Sequence, residues 1–267
     1  MQDKSSISTL AAALEQDEQK LLACVHCGLC LEACPTYVLT GDENDSPRGR
    51  IYLMRAVEEG KLAFNSVTFQ THIDRCLGCR ACEPVCPAGV EYGQLLEASR
   101  ATLFAPDVKR GFSYRLLRLA LHHIWLHPAR LRLAFSVGRV VRNLGLSGLL
   151  LRSGLAGAIS RHFEFGLALL ESSARQLQQD SPATAATRET GNPSRQDRLT
   201  DLFTGCVTAG LFARVNEASK RVLQVNGFAV RVPPAQVCCG ALHAHAGDLE
   251  GARILARQNI QAFEAAG

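Results

Sequence analysis

The sequence is poor in aromatic residues and has no long uninterrupted apolar run. Only 6% of its 267 residues are Phe, Trp or Tyr, and no nucleic-acid reading motif occurs, which disfavours binding by base stacking. No segment reaches the roughly 18–20 consecutive apolar residues that a membrane-spanning helix needs. The sequence therefore predicts a protein that does not bind nucleic acid and does not cross a bilayer.

The sequence also lacks the motifs of several catalytic classes. It has no Ser/His/Asp set, no phosphate-binding loop and no flavin fingerprint, so no catalytic residues are predicted. The N-terminal residues lack the charged-then-apolar order of a signal peptide. Since eleven cysteines occur without such a signal, a reducing compartment is expected, and the predicted location is cytoplasmic.

Eight of the eleven cysteines lie in two runs with the same spacing, C-x2-C-x2-C-x3-C-P. The first run extends from Cys24 to Pro35 and the second from Cys76 to Pro87. This spacing is typical of bacterial proteins with two 4Fe–4S clusters, in which the fourth cysteine of each run binds the cluster of the other run. Zinc sites usually use cysteine pairs or mix cysteine with histidine, and an odd number of cysteines does not favour disulfides. Two 4Fe–4S clusters are therefore the predicted cofactors.

The exchange of the fourth cysteine defines two predicted ligand sets. The first cluster is expected to bind Cys24, Cys27, Cys30 and Cys86, and the second Cys76, Cys79, Cys82 and Cys34. The 41 residues between Cys34 and Cys76 favour a mostly helical two-cluster domain over residues 1–100 rather than a compact β-sheet ferredoxin. Within this domain, helices are predicted over residues 5–23 and Arg48–Glu59, the latter with Ser46 as its N-cap and Pro47 at its start.

A basic segment follows the predicted cluster domain. Residues 100–164 contain eleven Lys or Arg and two acidic residues. Leu117, Ala120, Leu121 and Ile124 recur at helical spacing, which predicts a basic amphipathic helical connector over residues 101–171. Such a helix either packs on its own protein or docks to an acidic partner or an anionic membrane surface. Residues 172–198, rich in Ser, Gln, Thr and Ala, are predicted to be a flexible linker.

Residues 199–267 alternate between strand and helix patterns. Two strands, Leu199–Val207 and Ala229–Val232, and two helices, Leu211–Asn226 and Asp248–Ala265, are predicted in β-α-β-α order, which indicates a parallel, Rossmann-like sheet. Cys206 is expected to end the first strand. Together with Cys238 and Cys239 it forms a candidate metal site that is one ligand short; three buried, inert thiols are the alternative.

Two further observations concern this C-terminal part. His243 and His245 form a candidate metal pair only if their segment is extended, because alternate residues share a face only there. The half-built sheet and the incomplete cysteine set together predict that the sequence is a truncated form of a longer protein.

Three stretches together resemble the iron–sulfur subunit of glycolate oxidase (glycolate dehydrogenase). They are the two cysteine runs and residues 41–53, which include Pro47-Arg-Gly-Arg-Ile-Tyr-Leu53. The resemblance implies a mainly α fold with a smaller α/β part: an α-helical ferredoxin-like domain with two clusters, then an incomplete Cys-rich (CCG) domain. It also implies that Cys206, Cys238 and Cys239 match the CCG motif, which holds a further iron–sulfur cluster in some relatives.

The same resemblance implies a role in electron transfer. The chain would be the electron-transfer subunit of an oxidoreductase that acts on glycolate or another 2-hydroxy acid. Its expected partners are FAD-binding glycolate oxidase subunits, with a quinone and the inner face of the membrane as further candidates. The alternative is a heterodisulfide-reductase-like or lactate-utilisation subunit, in which the Cys-rich domain would itself be catalytic.

Overall fold

The computed structural model describes residues 18–105, 108, 111–173 and 198–266. The chain divides into two compact units. The first unit combines Met1–Leu116 with Gly240–Arg253, and the second combines Leu117–Cys239 with Ile254–Gly267. The predicted mainly α fold with a smaller α/β part is confirmed, since the described residues form fourteen α-helices and two strands.

In the first unit, helices flank both cysteine runs. The elements in chain order are α1 (Glu18–Leu22), α2 (Pro35–Thr40), a 3₁₀ turn (Glu43–Asp45), α3 (Pro47–Glu58), α4 (Val67–Arg75) and α5 (Tyr92–Phe104). Helix α2 begins directly after Cys34, and α4 ends directly before Cys76. Each run is therefore an irregular segment that helices fix in position. Of the helix predicted over residues 5–23, residues 5–17 lie outside the described part of the chain.

The start of helix α3 follows the predicted cap. The Ser46 side-chain oxygen accepts a hydrogen bond of 3.0 Å from the Gly49 backbone N–H, and Pro47 is the first helical residue. Ser46 satisfies a donor that the first turn of a helix leaves unpaired, and Pro47 has no N–H to satisfy. The predicted N-cap is confirmed, and the helix ends one residue earlier than predicted.

The hydrophobic core of the first unit holds the cysteine runs. Buried side chains from α1 and α3–α5 form it, among them Leu21, Ile51, Met54, Phe69, Ile73, Leu95 and Leu103. Cys82 belongs to this core, and Cys24, Cys30, Cys76 and Cys86 pack against it. Each fully buried Leu or Phe contributes about 1.5–3 kcal/mol, so this core stabilises the part of the fold that carries these sulfurs.

Helices make up the first part of the second unit, after α6 (Phe112–Ala120), which spans the boundary between the units. A π-helical turn (Leu121–Trp125) is followed by α7 (Pro128–Asn143), α8 (Leu146–Arg152), α9 (Leu155–Ile159) and α10 (Arg161–Ser172). The predicted amphipathic pattern through Ile124 is therefore not one continuous α-helix. Pro128 contributes to the interruption, because the residue before a proline avoids helical backbone, and His127 is extended.

A two-stranded parallel sheet forms the α/β part. Strands β1 (Arg198–Asp201) and β2 (Phe228–Arg231) pair in register from Arg198 with Phe228 to Asp201 with Arg231. The helices α11 (Cys206–Leu211) and α12 (Ala213–Val225) connect them. The predicted parallel pairing is confirmed. The Asp201 carboxylate accepts a 2.7 Å hydrogen bond from Arg231.

Two details of this part differ from the prediction. Cys206 does not end a strand: β1 stops at Asp201, Gly205 has a positive φ of 67°, and Cys206 is the first residue of α11. The predicted helix over Leu211–Asn226 is divided at Phe212, whose backbone leaves the helical region. Helix α14 (Leu249–Glu264) matches the last prediction to within one residue. A short helix that was not predicted, α13 (Ala241–Ala246), precedes it.

Most of the linker predicted over residues 172–198 lies outside the described residues. Among the described helices, none combines the length and the apolar character that crossing a membrane requires.

Candidate iron–sulfur centres

The two cysteine runs have the same backbone conformation. In the first run, His26 and Gly28 have positive φ values of 54° and 86°, and in the second run Gly78 and Arg80 have values of 66° and 55°. These are the third and fifth positions of each run, so the glycine and the larger residue exchange places between the runs. A left-handed residue other than glycine costs about 1–2 kcal/mol, which indicates that the surrounding structure imposes this turn.

Two successive turns complete each run. Leu31 N–H donates to the Gly28 carbonyl, and Cys34 N–H donates to the Leu31 carbonyl, each at 3.0 Å. In the second run, Glu83 N–H donates to Arg80 and Cys86 N–H donates to Glu83, again each at 3.0 Å. The bonded positions are equivalent in the two runs. The two runs, which share one cysteine spacing, therefore form the same pair of turns.

Each predicted ligand set lines a single cavity in the first unit. The first cavity is lined by Cys24, Cys27, Cys30 and Cys86. The second cavity is lined by Cys34, Cys76, Cys79 and Cys82. Each cavity therefore has three cysteines from one run and the last cysteine of the other run. The role of these sulfurs as ligands stays a prediction.

The separation of the sulfurs can be compared with that around a single zinc ion. Four thiolates around a tetrahedral zinc lie about 2.3 Å from the ion and so roughly 3.8 Å from one another. Among the described residues, the group of three or more metal-ligand atoms that all lie within 4.8 Å of one another consists of Asp42, Asp45 and His72. No three cysteine sulfurs in the described ranges meet that limit. No three of the described cysteine sulfurs are therefore close enough together to share one tetrahedral zinc ion.

Burial and hydrogen bonding act differently on the individual thiols. Burial raises the pKa of Cys82 to about 12, and it also raises the pKa of Cys30. Burial acts to raise the pKa of Cys34 as well, but hydrogen bonds from Thr36 and from nearby backbone N–H groups outweigh it, and the net direction is down. Because iron binds the thiolate form, cluster assembly at Cys82 would release a proton.

Polar groups contact sulfurs in both cavities. The Thr36 hydroxyl lies 3.2 Å from Cys34 Sγ, and Arg50 Nη1 lies 4.0 Å from the same sulfur. The Tyr92 hydroxyl donates to Cys76 Sγ at 3.5 Å. In the first cavity, the backbone N–H of Val90 donates to Cys86 Sγ at 3.5 Å. Hydrogen bonds of this kind tune an iron–sulfur cluster.

Arg50 belongs to a buried network of charges beside Cys34. Its side chain is fully buried and donates to the His72 carbonyl at 2.6 Å and to Asp45 Oδ1 at 3.5 Å. Asp45 is also fully buried and accepts from His72 Nδ1 at 2.8 Å and from Arg75 at 3.0 Å. Burial acts to raise the pKa of Asp45, but hydrogen bonds from His72 and Arg75 outweigh it and lower the pKa. The group formed by Asp42, Asp45 and His72 therefore already has arginine cations beside it, because Arg50 and Arg75 pair with Asp45.

The same network gives a structural reason for the Pro47-Arg-Gly-Arg50 motif. Arg48 pairs with Glu43 at 2.6 Å and donates to the His26 carbonyl at 3.2 Å, so it connects α3 to the first cysteine run. A Cβ on Gly49 would lie 2.0 Å from the Glu43 carbonyl oxygen. Each residue of the motif thus has a defined contact. Sequence reasoning missed the burial of Arg50, since nothing in the sequence distinguishes it from Arg48.

The three remaining cysteines do not form a complete site in the described residues. Cys206 Sγ lies 3.3 Å from Cys238 Sγ, whereas Cys239 is exposed, and the three sulfurs do not all lie within 4.8 Å of one another. The hydrogen bond with Cys238 outweighs burial and lowers the pKa of Cys206 to about 7. Both Cys206 and Cys238 line a cavity of about 390 Å³, which Arg132, Arg139 and Phe135 also line. The predicted metal site at Cys206, Cys238 and Cys239 stays a prediction.

The candidate histidine pair is separated. His243 and His245 both lie on helix α13, where residues two apart point roughly 200° away from each other. His243 is fully buried, and its Nδ1 lies 2.7 Å from the Asp248 carboxylate. A Cβ placed on Gly78 would lie 3.3 Å from His245 Nδ1. The extended segment that a shared metal ion would require is therefore absent from this described stretch.

Comparison with protein families assigns both parts of the chain. Residues 20–90 match the family described as 4Fe-4S dicluster domain, and residues 200–267 match the family described as Cysteine-rich domain. The first match contains both cysteine runs, and the second contains Cys206, Cys238 and Cys239. The predicted 4Fe–4S cofactors are thereby confirmed.

Comparison with curated proteins gives relatives that align over most of the chain. The "Probable glycolate oxidase iron-sulfur subunit" of Bacillus subtilis (strain 168) is 38% identical over 251 residues, which is 93% of this chain and 55% of that protein. The "Glycolate oxidase iron-sulfur subunit" of Escherichia coli (strain K12) is 38% identical over 255 residues, 95% of this chain and 54% of that protein. A fumarate reductase (CoM/CoB) subunit of Methanothermobacter marburgensis is 24% identical over 254 residues, 93% of this chain and 40% of that protein.

The chain thus spans about half the length of the two glycolate oxidase relatives that it matches. No solved structure matches it. The chain is an iron–sulfur protein that joins a 4Fe-4S dicluster domain to a cysteine-rich domain, and its resemblance to the glycolate oxidase iron–sulfur subunits is confirmed.

Proposed function

We propose that the chain transfers electrons within a flavin-dependent glycolate (2-hydroxy acid) dehydrogenase, from FAD-binding subunits toward a quinone-type acceptor. The observation that carries this proposal is the pair of cavities in the first unit. Each is lined by three cysteines of one run and the last cysteine of the other. The relatives with 38% identity, whose names include glycolate oxidase, support the choice of glycolate over other 2-hydroxy acids.

In this proposal the eight cysteines that line the two cavities are the cluster ligands. A bound 4Fe–4S cluster supplies a site for one electron at a time, at a potential that its surroundings set. The residues of the chain hold the thiolates in place, donate hydrogen bonds to sulfur and keep the two sites together through the shared runs. We assign no bond-making step on the organic substrate to this chain.

Reduction by substrate provides the test. The full chain would be purified anaerobically, combined with the flavoprotein that co-purifies with it, and mixed with glycolate while the EPR signal of reduced clusters is recorded. We expect glycolate to produce the signal, and Cys79→Ala to abolish the part that belongs to the second cavity. Cys239→Ala is the matched control, because Cys239 is exposed and lies outside both cavities. Iron-loaded protein that glycolate never reduces in the presence of its flavoprotein would contradict the proposal.

We further propose that the second unit meets an anionic membrane surface, where a quinone would be available. Helix α7 carries Leu133, Val137 and Val140, which are exposed by 64%, 53% and 56% and follow one another at helical spacing. Exposed arginines, Arg132 and Arg139, lie on the same helix. A helix with apolar and cationic residues at its surface binds in the interface of anionic lipids.

Sedimentation with vesicles tests the membrane proposal. We expect the chain to bind vesicles that contain phosphatidylserine but not vesicles of phosphatidylcholine alone, and to dissociate at high salt, since salt screens exposed charges. The Leu133→Ser/Val137→Ser variant should bind less. Leu149→Ser is the control, because Leu149 is similarly exposed (67%) but lies on helix α8. Equal binding to both kinds of vesicle would contradict the electrostatic part of the proposal.

A second candidate function is a heterodisulfide-reductase-like or lactate-utilisation activity. The specific observation in its favour is the 3.3 Å contact between Cys206 and Cys238 beside the large cavity of the second unit. Under this alternative, the Cys206→Ser variant would lose a disulfide-reducing activity that is independent of any flavoprotein. Under the main proposal, the same variant would retain glycolate-dependent reduction of both clusters.

A further inference from the structure

The surroundings of the two cavities differ in buried positive charge. Arg50, which is fully buried, lines the second cavity and lies 4.0 Å from Cys34 Sγ. Arg100, exposed by only 8%, donates to the carbonyl oxygen of Cys76, another cysteine of the same cavity. The first cavity is lined by a single arginine, Arg48, whose side chain is 28% exposed and paired with Glu43. The second cavity therefore has two buried cations beside it, and the first has one partly exposed cation.

The partners of these arginines leave a net positive charge. Asp45 is the carboxylate bound to Arg50, and it is shared with Arg75. For Arg100, the acceptors within the described residues are the backbone carbonyls of Ile73, Cys76 and His245. One buried carboxylate therefore faces three arginines around the second cavity. Carbonyl oxygens satisfy the hydrogen bonds of a guanidinium group without neutralising its charge.

Neutral donors are present in both cavities, so the difference between them rests on the arginines. The Tyr92 hydroxyl donates to Cys76 Sγ in the second cavity, and the Val90 N–H donates to Cys86 Sγ in the first, each at 3.5 Å. A reduced cluster carries one more negative charge than an oxidised one, so positive charge and hydrogen bonds at its sulfurs favour reduction. Burial of Cys34 and Cys82 acts in the opposite direction, but the same low dielectric also strengthens the attraction to buried arginine.

We propose that a cluster in the second cavity has the higher reduction potential of the two and takes up the first electron, because Arg50 and Arg100 hold positive charge against it. In this role both arginines act through the ligands and are positioning residues. The inference rests on the proposed occupancy of both cavities. Each cluster takes one electron from the chemical reductant, and no bond is made or broken.

A stepwise reductive titration of the full chain, followed by EPR under anaerobic conditions with dithionite, tests the inference. The wild type should show two one-electron waves. The Arg100→Gln variant should lower only the more positive wave, with an expected effect of about tenfold in the reduction equilibrium, or about 59 mV for one electron. The Arg50→Gln variant should lower the same wave, and Arg50→Lys, which keeps the charge, should lower it less.

A matched pair of surface variants keeps the test decisive if the buried variants fail to bind iron. Arg80 lines the second cavity, is 48% exposed and pairs with Glu97, whereas Arg48 lines the first cavity and pairs with Glu43. Arg80→Gln should lower the more positive wave, and Arg48→Gln should lower the more negative one. The opposite assignment, a single wave in the wild type, or no shift in either variant would overturn the inference. Wild-type protein without iron would instead overturn the proposed function.

Discussion

Replacement of Gly49 by alanine should destabilise the first unit far more than the size of a methyl group suggests. Gly49 lies in the first turn of helix α3, between the cap residue Ser46 and the buried Arg50. A Cβ at this position would lie 2.0 Å from the Glu43 carbonyl oxygen and 2.8 Å from the Glu43 carbonyl carbon. These are backbone atoms of the 3₁₀ turn, so no side-chain rotation can relieve the clash, and the turn must move away from α3.

The magnitude follows from three opposing contributions. Overpacking at a well-packed position costs up to about 3 kcal/mol, and loss of the bond from Gly49 N–H to Ser46 would cost about 1 kcal/mol more. Alanine gains roughly 0.5–1 kcal/mol over glycine inside a helix. We therefore expect Gly49→Ala to destabilise the first unit by about 3 kcal/mol, which is roughly a hundredfold change in the unfolding equilibrium.

Urea unfolding followed by far-ultraviolet circular dichroism measures this loss. For a slope of about 2 kcal/mol per M, the midpoint should fall by roughly 1.5 M. Gly166→Ala makes the same chemical change in helix α10, where the added Cβ would meet open space beyond its own helix backbone, and should be neutral or stabilising. If Gly49→Ala is as stable as Gly166→Ala, the proposed reason for glycine in the motif is refuted.

Two further predictions concern the second unit. Asn259→Ala removes a 3.0 Å hydrogen bond to the Cys238 carbonyl, which should lower the free energy of unfolding by about 1–3 kcal/mol. The variant should also speed alkylation of Cys238 by iodoacetamide. Asn226→Ala, which loses one exposed hydrogen bond, is the control and should have neither effect. The hydrogen bond from Arg231 lowers the pKa of Asp201, so this pair stabilises the fold above the ordinary carboxyl pKa and loses its effect as the pH falls through the lowered value. Asp201→Asn should therefore lower the melting temperature at neutral pH, and the difference from wild type should disappear in acid; a difference that persists in acid would contradict this reason.

The cluster cavities could be predicted because the cysteine spacing is local information with one geometric consequence. Turns that place Cys24, Cys27 and Cys30 around one cavity leave the fourth cysteine, Cys34, to line the other. The cap at Ser46 is equally local. The charge network was not predictable, because Arg48 and Arg50 look alike in the sequence. Arg50 differs from Arg48 because it contacts the buried Asp45. That contact depends on the tertiary structure.

The errors in the second unit also have a local physical origin. Residues from Leu199 to Val207 continue an apolar pattern past the point where β1 ends, and hydrophobic periodicity does not show where a strand stops. The strand ends at Asp201 because β2 pairs with only four residues, and Gly205 then turns the chain into helix α11. Helix α13 was missed because it is short and lies between Gly240 and Gly247, both of which are typical of turns.

Iron content in two double variants decides whether the last cysteines of the two runs are exchanged between the clusters. If the runs exchange ligands, Cys34→Ala/Cys76→Ala removes two ligands of the same cluster and should leave about four irons per chain, whereas Cys24→Ala/Cys34→Ala damages both clusters and should leave almost none. If each run instead holds its own cluster, the iron contents of the two variants will be reversed, and that result would contradict the account.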